Sequence, residues 1–364
     1  MVTSSSQTIR IALKYKTPTF KISSIKPYVL SSANQSTGDL PIKKHGGSIL
    51  ASISRGVLSL NGSLLEGGDY YLKHLKKEAT WMIDGQMYIG DLHIKIRSNK
   101  EMCLILHCDL ERYVASVVAG ESGPFFCAEA LKCQAVAART FAMFRKLKEP
   151  RSRSLFDVFP DTRDQMFKGL SSVRSKHIMA TNLTHHQVLN WQGKLLGAFY
   201  HSSCGGHTVN AMDMNFVLKE TAPLTGRPCH WCQDSSLYLW KHPVSIFEFA
   251  NKVPELKNKI INNIDLKKQS AGHVSEVVVM TNKGNVKLSS YKFRKAIGFK
   301  VMRSSRFECK IHNQQIHITG HGFGHGVGMC QYGSDAMGKA GKTYKQIMQY
   351  YFPGSSIDLI STST

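Results

Sequence analysis

Apolar residues at helical spacing define a helix in the first half of the chain. In the run LERYVASVVAGES, one face of a helix with about 3.6 residues per turn collects Leu110, Val114, Val117 and Val118. Glu121 continues this apolar stripe beyond Val118, and a Ser-Gly-Pro sequence then ends the helix. Apolar surroundings favour the neutral form of a carboxyl group, which is the form that a general acid needs near neutral pH. The alternative is a frayed last turn in which Glu121 reaches water.

A second helix, rich in alanine, follows this break. One of its faces permits close packing on a neighbouring element and consists of Leu131, Ala135, Ala138 and Ala142. We expect Lys132 and Arg139 to lie on the opposite, solvated side of the helix. A further helical segment closes the chain at residues 344–351.

The regions on either side of the helical segment have the alternating apolar and polar pattern of β-strands, as at residues 274–280. We therefore predict an α+β fold with a helical catalytic core and flanking β-rich regions. The predicted divisions are a β-rich region over 1–105, the helical core over 106–240 and a second β-rich region over 241–319. A segment rich in Gly and His, with the C-terminal helix, occupies 320–364 and is expected to pack back on the core.

The charge balance predicts an anionic partner. The chain has 47 Lys and Arg against 25 Asp and Glu, a formal net charge of +22. The basic residues are scattered and accompany no nucleic-acid motif, so a nucleic acid is not the expected partner. No apolar run has the length of a membrane-spanning helix, and residues 1–14 contain no hydrophobic signal core.

Four of the nine cysteines have the spacing or the neighbouring histidines that are typical of metal ligands. Cys229 and Cys232 form a C-x-x-C pair, Cys204 stands in a segment with two histidines, and Cys330 lies inside the Gly/His segment. Thiolates and imidazoles in this arrangement suit tetrahedral zinc. The C-x-x-C pair alone is equally compatible with a disulfide or a redox pair.

The glycine-rich segment GHGFGHGVG, at residues 320–328, does not predict a dinucleotide site. Such a site needs a strand–helix–strand context and an acidic residue about 20 positions further on, and neither is present. The glycines are expected to let the backbone pass close to a ligand or to the Glu121 helix, with a tight structural turn as the alternative.

Three segments of the chain resemble, in the same order, the signature of the stage II sporulation protein D family of peptidoglycan lytic transglycosylases. They are LERYVASVVAGESGPFFCAEALKCQAVAARTFAM (110–143), AFYHSSCGGHT (198–208) and GHGFGHGVGMCQYG (320–333). The resemblance implies that Glu121 is the catalytic acid and base, which is the residue that the helical pattern also selects. It implies cleavage of the β-1,4 bond between N-acetylmuramic acid and N-acetylglucosamine, in glycan strands already stripped of their stem peptides.

The acids near Glu121 in the sequence bear on the reaction type. Most glycosidases need two carboxyl groups, whereas Asp109, Glu111 and Glu129 all lie off the Glu121 stripe. A lytic transglycosylase works with one acid, because the C6 hydroxyl of the muramic acid residue is the nucleophile and a 1,6-anhydro end forms. The sequence therefore predicts a lytic transglycosylase with Glu121 as its single acid and base.

The same resemblance implies further site residues and partners. The polar residues expected to contact the sugar are Gln165, His201, Ser202, Ser203, His325 and Gln331. For each of them, an internal hydrogen bond that fixes a turn is the alternative. The expected partners are peptidoglycan glycan strands and an N-acetylmuramoyl-L-alanine amidase, with the cell envelope or periplasm as location. Because that location requires export, the resemblance implies either that a leader has been removed or that the true start lies upstream. The alternative function is a non-catalytic, glycan-binding enhancer of such an amidase.

The resemblance also bears on the metal site. Some relatives hold a metal through the segment that matches residues 158–165, but this chain reads VFPDTRDQ there and lacks those ligands. Because His201 is assigned to the sugar cleft, we predict a structural zinc ion bound by Cys204, His207, Cys229 and Cys232. His201 and Cys330 are the alternatives for the fourth ligand.

Overall fold

Alternating apolar residues build two N-terminal sheets. The structure is a computed structural model that describes residues 7–32, 42–65, 68–148 and 155–360. Residues 1–6, part of the segment expected to lack a signal core, lie outside the described residues. The strands of this part are β1 (Thr8–Thr17), β2 (Thr19–Ser24), β3 (Tyr28–Ser32), β4 (Ile42–Lys44), β5 (Gly47–Ser54), β6 (Val57–Leu60), β7 (Ser63–Leu65), β8 (Tyr70–His74), β9 (Trp81–Ile83), β10 (Gln86–Tyr88), β11 (Asp91–Ser98) and β12 (Glu101–Asp109).

The two sheets share one hydrophobic core with the first helices. The strand order is β1-β12-β11-β8-β3-β4 in one sheet and β10-β9-β2-β5-β6-β7 in the other. The core contains Ile9 and Ile22 from these sheets together with Val114 and Ala138 from the helical segment, all fully buried. The boundary predicted at residue 105 therefore does not separate two hydrophobic cores.

The first helix begins directly after β12, and six more helices follow among the described residues. They are α1 (Leu110–Glu121), α2 (Ala128–Lys148), α3 (Ser175–Leu183), α4 (Ile246–Asn251), α5 (Ser290–Ile297), α6 (Gln331–Lys339) and α7 (Tyr344–Tyr351). Asp109 caps α1, since its carboxylate accepts hydrogen bonds from the N–H groups of Glu111 and Arg112, each at 3.0 Å. Within the described residues no helix is both long and apolar enough to cross a membrane.

The C-terminal half adds four small sheets. Its strands are β13 (Gln187–Trp191), β14 (Lys194–Leu195), β15 (Tyr200–His201), β16 (Leu239–Ser245), β17 (Ile261–Lys268), β18 (Val274–Thr281), β19 (Gly284–Ser289), β20 (Phe307–His312), β21 (Gln315–His321), β22 (Met329–Cys330) and β23 (Ser356–Leu359). The sheets are β14-β13-β23, β15-β22, β16-β21-β20 and β17-β18-β19. The mixed α+β class is confirmed. The short parallel pair β15-β22 positions the site, because it joins His201 to Cys330.

The prediction for Arg139 is wrong. This residue of α2 is fully buried, and its guanidinium forms a bidentate pair with Glu111 of α1 at 2.8 and 2.6 Å. Its remaining N–H groups donate to the carbonyl oxygens of Ala135, Thr181 and Gln187. Arg139 therefore fastens α1, α2, α3 and the start of β13 to one another.

Candidate active site

Glu121 ends α1 beside a cleft. Its Oε1 accepts a hydrogen bond from the N–H of Met166 at 2.7 Å. Burial raises the pKa of its carboxyl group, against the lowering effect of that N–H, of the Tyr200 hydroxyl and of Lys168. Partial burial thus favours the protonated form of Glu121, while two donors remain in place to stabilise the carboxylate once the proton has left.

The cleft is a cavity of about 520 Å³ that combines aromatic, polar and charged side chains. Its lining residues include Glu121, Arg145, Asp164, Phe199, Tyr200, His201, Ser202, Phe216, Phe323, His325 and Gln331. Aromatic rings can pack against the apolar faces of a sugar, and the polar groups suit its hydroxyl and acetamido substituents. The structure therefore brings Glu121, His201, Ser202, His325 and Gln331 together from three distant segments.

A chain of buried hydrogen bonds leads to Glu121. The Tyr113 hydroxyl donates to Gln165 Oε1 at 2.9 Å, and Gln165 Nε2 donates to the Tyr200 oxygen at 2.9 Å. Because the Tyr200 oxygen accepts that bond, its own hydrogen is available to the Glu121 carboxyl, whose pKa the Tyr200 hydroxyl lowers. Gln165 itself is fully buried.

The prediction that Gln165 contacts the sugar is therefore corrected, because Gln165 orients Tyr200 and does not line the cavity. Sequence reasoning missed Tyr200, although it stands directly before His201 in a quoted segment. The apolar residues around it gave no sign that its hydroxyl would reach the carboxyl group of Glu121.

His201 and His325 lie side by side in the cleft, with their ring centroids 5.6 Å apart in an edge-to-face arrangement. Nδ1 of His201 lies 3.0 Å from the Val327 carbonyl, so this nitrogen carries the proton and Nε2 is an acceptor, without a hydrogen-bond partner among the described residues. His325 Nδ1 accepts from the Val327 N–H at 3.1 Å, which leaves its Nε2 as the donor. Burial lowers the pKa of His201 to about 4 and that of His325 to about 3, so both rings are neutral at pH 7. The site thus offers one neutral acceptor and one neutral donor.

The two serines that follow His201 differ. Ser202 lines the cavity. Ser203 is buried away from it, and its backbone pairs with that of Phe323 in both directions, at 3.0 and 2.7 Å. Ser203 therefore does not line the cavity. Its backbone forms an antiparallel bridge with Phe323, and its Oγ has no hydrogen-bond partner among the described residues, so the alternative of a side-chain bond that fixes a turn is not seen either.

Gln331 joins the Glu121 helix to the C-terminal segment. Its Nε2 donates to the Glu121 carbonyl at 3.2 Å and to Gln134 Oε1 at 3.1 Å. Because this carbonyl lies at the open end of α1, the contact fixes the last turn that carries the acid. Gln331 therefore both lines the cavity and positions Glu121.

Two glycines allow close backbone approaches at the site. A Cβ on Gly120 would lie 2.3 Å from the Met166 carbonyl oxygen, so only glycine lets the Met166 segment reach the Glu121 carboxyl. Gly324 has a φ of +114°, and a Cβ there would lie 2.8 Å from that of His201. Gly324 thus brings the C-terminal segment close to His201, whereas the expected close approach to a ligand or to the Glu121 helix stays a prediction.

The cavity also holds a second carboxyl group, that of Asp164, which the sequence argument did not consider. Its Oδ2 accepts from the Phe159 N–H at 2.8 Å, and its Oδ1 pairs with Arg145 at 3.0 Å. Burial raises the pKa of Asp164, while the Phe159 N–H and Arg145 act in the opposite direction. One oxygen thus accepts a hydrogen bond, and the other lies in an ion pair with the Arg145 guanidinium.

Four cysteine sulfurs meet next to this cleft. The Sγ atoms of Cys204, Cys229, Cys232 and Cys330 all lie within 4.8 Å of one another, and all four residues are buried. His207 is not in this group, and its Nδ1 is 2.5 Å from the Thr208 carbonyl oxygen. The structure thus places Cys330, the alternative for the fourth position, beside Cys204, Cys229 and Cys232, and it leaves His207 outside the cluster.

Comparison with known proteins identifies relatives of this chain. The family profile described as "Stage II sporulation protein" matches residues 98–191, which contain Glu121 and Gln165. Stage II sporulation protein D of Bacillus amyloliquefaciens is 33% identical over 266 residues, covering 68% of this chain and 74% of that protein. The chain belongs to the stage II sporulation protein D family.

Other relatives extend the match. An uncharacterized protein of Brachyspira hyodysenteriae is 32% identical over 281 residues, covering 76% of this chain and 73% of that protein. The amidase enhancer of Bacillus subtilis is 26% identical over 362 residues, covering 86% of this chain and half of that longer protein. A profile of a domain of unknown function matches residues 229–328, which include Cys229 and Cys232. Membership of the stage II sporulation protein D family supports a role related to the cell wall.

Proposed function

We propose that this protein is a peptidoglycan lytic transglycosylase that cleaves the β-1,4 bond between N-acetylmuramic acid and N-acetylglucosamine in peptide-stripped glycan strands. The observation that carries the proposal is the setting of Glu121, a carboxyl group with a raised pKa between the Met166 N–H and the Tyr200 hydroxyl, in a sugar-sized cleft. The net charge of +22 suits a wall rich in carboxylates.

The proposed reaction moves one proton through Glu121. The neutral carboxyl group donates its proton to the glycosidic oxygen as the bond to muramic acid C1 breaks. The resulting carboxylate, stabilised by the Met166 N–H and the Tyr200 hydroxyl, then removes the proton of the muramic C6 hydroxyl as its oxygen bonds to C1. Glu121 ends protonated again, and the product is a 1,6-anhydromuramic end. His201 Nε2 would accept a hydrogen bond from the sugar, and His325 Nε2 would donate one.

Asp164 is the second carboxyl group that a hydrolytic mechanism would use. A hydrolase would need this second carboxylate as nucleophile or as base for a water molecule. Its two oxygens are already held by the Phe159 N–H and Arg145, which suits a loop brace better than a base. Because these two contacts occupy Asp164, we propose the reaction with Glu121 as its single acid and base.

The product decides between these reactions. We expect pure protein in oxygen-18 water to convert peptide-stripped glycan into unlabelled 1,6-anhydromuramic ends, as measured by mass spectrometry, because no water enters the proposed reaction. The Asp164→Asn variant should form the same unlabelled product. Reducing ends that carry the label, and that disappear in Asp164→Asn, would establish a hydrolase and contradict the proposal.

The pH profile tests the hydrogen bond from Tyr200. Cleavage should fall on the alkaline side as Glu121 loses its proton, at a pH above the ordinary glutamate value of 4.5. The Tyr200 hydroxyl lowers the pKa of Glu121, so Tyr200→Phe should shift this alkaline limb to higher pH. The measurement is kcat/KM against pH, with Tyr71→Phe, on the distant N-terminal sheet, as control. An alkaline limb that moves to lower pH in Tyr200→Phe would contradict the assignment of Glu121 as the titrating acid.

A second candidate is a non-catalytic enhancer of an amidase, and the match to the Bacillus subtilis amidase enhancer over 86% of this chain favours it. The partially buried acid favours the enzyme, because a binding module has no need for a carboxyl group with a raised pKa. An N-acetylmuramoyl-L-alanine amidase assayed with wild type and with Glu121→Gln separates the two. Equal stimulation by both proteins, with no glycan cleavage by either, would establish the enhancer.

A further inference from the structure

Three separate segments bring the four cysteine sulfurs together. Cys204 lies in the loop after β15, Cys229 precedes the short turn His230–Cys232 and Cys232 ends it, and Cys330 ends β22 and caps α6. The Cys204 and Cys232 sulfurs are 3.4 Å apart, and no pair exceeds 4.8 Å. With Zn–S bonds of about 2.3 Å, the sulfurs of a tetrahedral site are separated by about 3.8 Å. The observed cluster matches that spacing.

Hydrogen-bond donors surround the sulfurs. The N–H groups of Cys204 and Gly333 point at Cys330 Sγ, at 3.4 and 3.3 Å, and the Tyr351 hydroxyl lies 3.2 Å from Cys229 Sγ. Such donors stabilise the negative charge that four thiolates retain after binding a divalent ion. A cluster of neutral thiols would not require them.

Gly333 provides the room that the cluster occupies. A Cβ at this position would lie 2.1 Å from the Tyr351 hydroxyl oxygen, 3.0 Å from Cys229 Sγ and 3.3 Å from Cys330 Sγ. The first turn of α6 therefore packs directly on the sulfurs. The absence of a side chain here is an observation independent of the cysteines themselves.

We propose that Cys204, Cys229, Cys232 and Cys330 bind one structural zinc ion. Four thiolates fill a tetrahedral shell and leave no position for water, so the ion stabilises the fold and takes no part in the reaction. The position of the ion indicates which elements it stabilises. Cys330 pairs with His201 in the β15-β22 ladder and directly precedes Gln331, which contacts Glu121. The ion fastens the two strands that carry these cleft residues.

Metal content tests the proposal. Protein purified under reducing conditions without added metal should contain one zinc per chain by elemental analysis. Cys204→Ser and Cys330→Ser should lose it, whereas His207→Ala and Cys309→Ser should retain it, because these two residues lie outside the cluster. Replacement of zinc by Co²⁺ in wild type should give the thiolate charge-transfer absorption of a tetrahedral site, a readout that does not depend on the folding of a variant.

Tyr351→Phe is the sharpest variant, because it keeps all four sulfurs and removes one donor. We expect its zinc affinity to fall about ten- to a hundredfold, measured by competition with a chelator. Zinc near zero in wild type, with a disulfide between Cys229 and Cys232 in a non-reducing peptide map, would overturn the proposal. So would zinc retained by Cys330→Ser and lost by His207→Ala.

The expected dependence of cleavage on zinc rests on the proposed function. The zinc site and the transglycosylase activity can nevertheless be disproved separately. Chelation of wild-type protein should lower its melting temperature and its cleavage rate together, because structural zinc contributes to folding. Glu121→Gln should keep full zinc content and the same chelator response in melting temperature, without cleavage. A zinc-loaded wild type that does not cleave glycan would disprove the transglycosylase and leave the metal site standing.

Discussion

Replacement of Glu121 by glutamine is expected to abolish glycan cleavage and to preserve the fold. The amide retains the shape of the side chain and can still accept the Met166 N–H, but it cannot donate and recover a proton. We expect the rate of anhydromuramic product formation to fall at least about a hundredfold, the lower end for general acid–base catalysis. The matched control is Glu248→Gln, an exposed acid of α4, which should cleave at the wild-type rate.

The stability of Glu121→Gln separates lost chemistry from lost structure. The folded state raises the pKa of Glu121, so this group favours folding at pH below its unfolded pKa and loses that contribution as pH rises through its folded pKa. At pH 7 the glutamine variant should therefore unfold at the same temperature as wild type or at a higher one. Cleavage near the wild-type rate would contradict the role of Glu121 as acid and base.

The second large effect is expected at Arg139. Arg139→Met should destabilise the fold by about 3–5 kcal/mol, because it leaves Glu111 with a partly buried, unpaired charge. It also removes the donors to the Thr181 and Gln187 carbonyl oxygens, which link α3 and β13 to α2. The measurement is the free energy of unfolding in urea. Arg139→Lys should recover only part of the loss, because an ammonium group cannot reproduce the bidentate pair.

An exposed ion pair provides the control for Arg139. Lys292 and Glu255 lie 3.2 Å apart, with side chains 62% and 45% exposed. Lys292→Met should change stability by at most about 1 kcal/mol, because solvent screens such pairs. An equal loss of unfolding free energy in both variants would show that the buried Arg139 network stabilises the fold no more than an exposed ion pair does.

Local patterns were sufficient where the structure depends on near neighbours. The helix that ends at Glu121 follows from the spacing of Val114 and Val117 and from the break after it, and the structure places it at Leu110–Glu121. The last helix, predicted at residues 344–351, is also confirmed. Periodicity succeeds in such cases because both the helix and its buried face are set by residues three and four positions apart.

The same patterns failed for Arg139, where the deciding partner is distant. On an alanine-rich helix, an arginine between small residues suggests a solvated face. Its burial depends on Glu111, 28 residues earlier, and on carbonyl groups of Thr181 and Gln187, more than 40 residues later. A helical pattern contains no information on acceptors that arrive from other elements.

In the cleft, the sequence selected the segments but not always the side chains within them. Gln165 and Ser203 lie in the expected places in the chain, yet Tyr200 contacts the acid and Gln165 holds Tyr200. Asp164 enters the cavity through a loop tied to Arg145, which no local pattern predicts. Which side chain of a loop faces a cleft depends on the backbone path, and that path is set by packing.

The sequence by itself determined the fold class and the place of Glu121 at the end of α1, because these depend on local spacing and composition. The three segments that form the cleft were selected by the resemblance to a known family. Only the tertiary structure decided the fourth sulfur, since Cys330 is 126 residues from Cys204 in the chain and reaches it through the β15-β22 pair. His207 is three residues from Cys204, but its loop directs the ring to the Thr208 carbonyl. Ligand sets follow from distances in space, which the separation of residues along a chain does not determine.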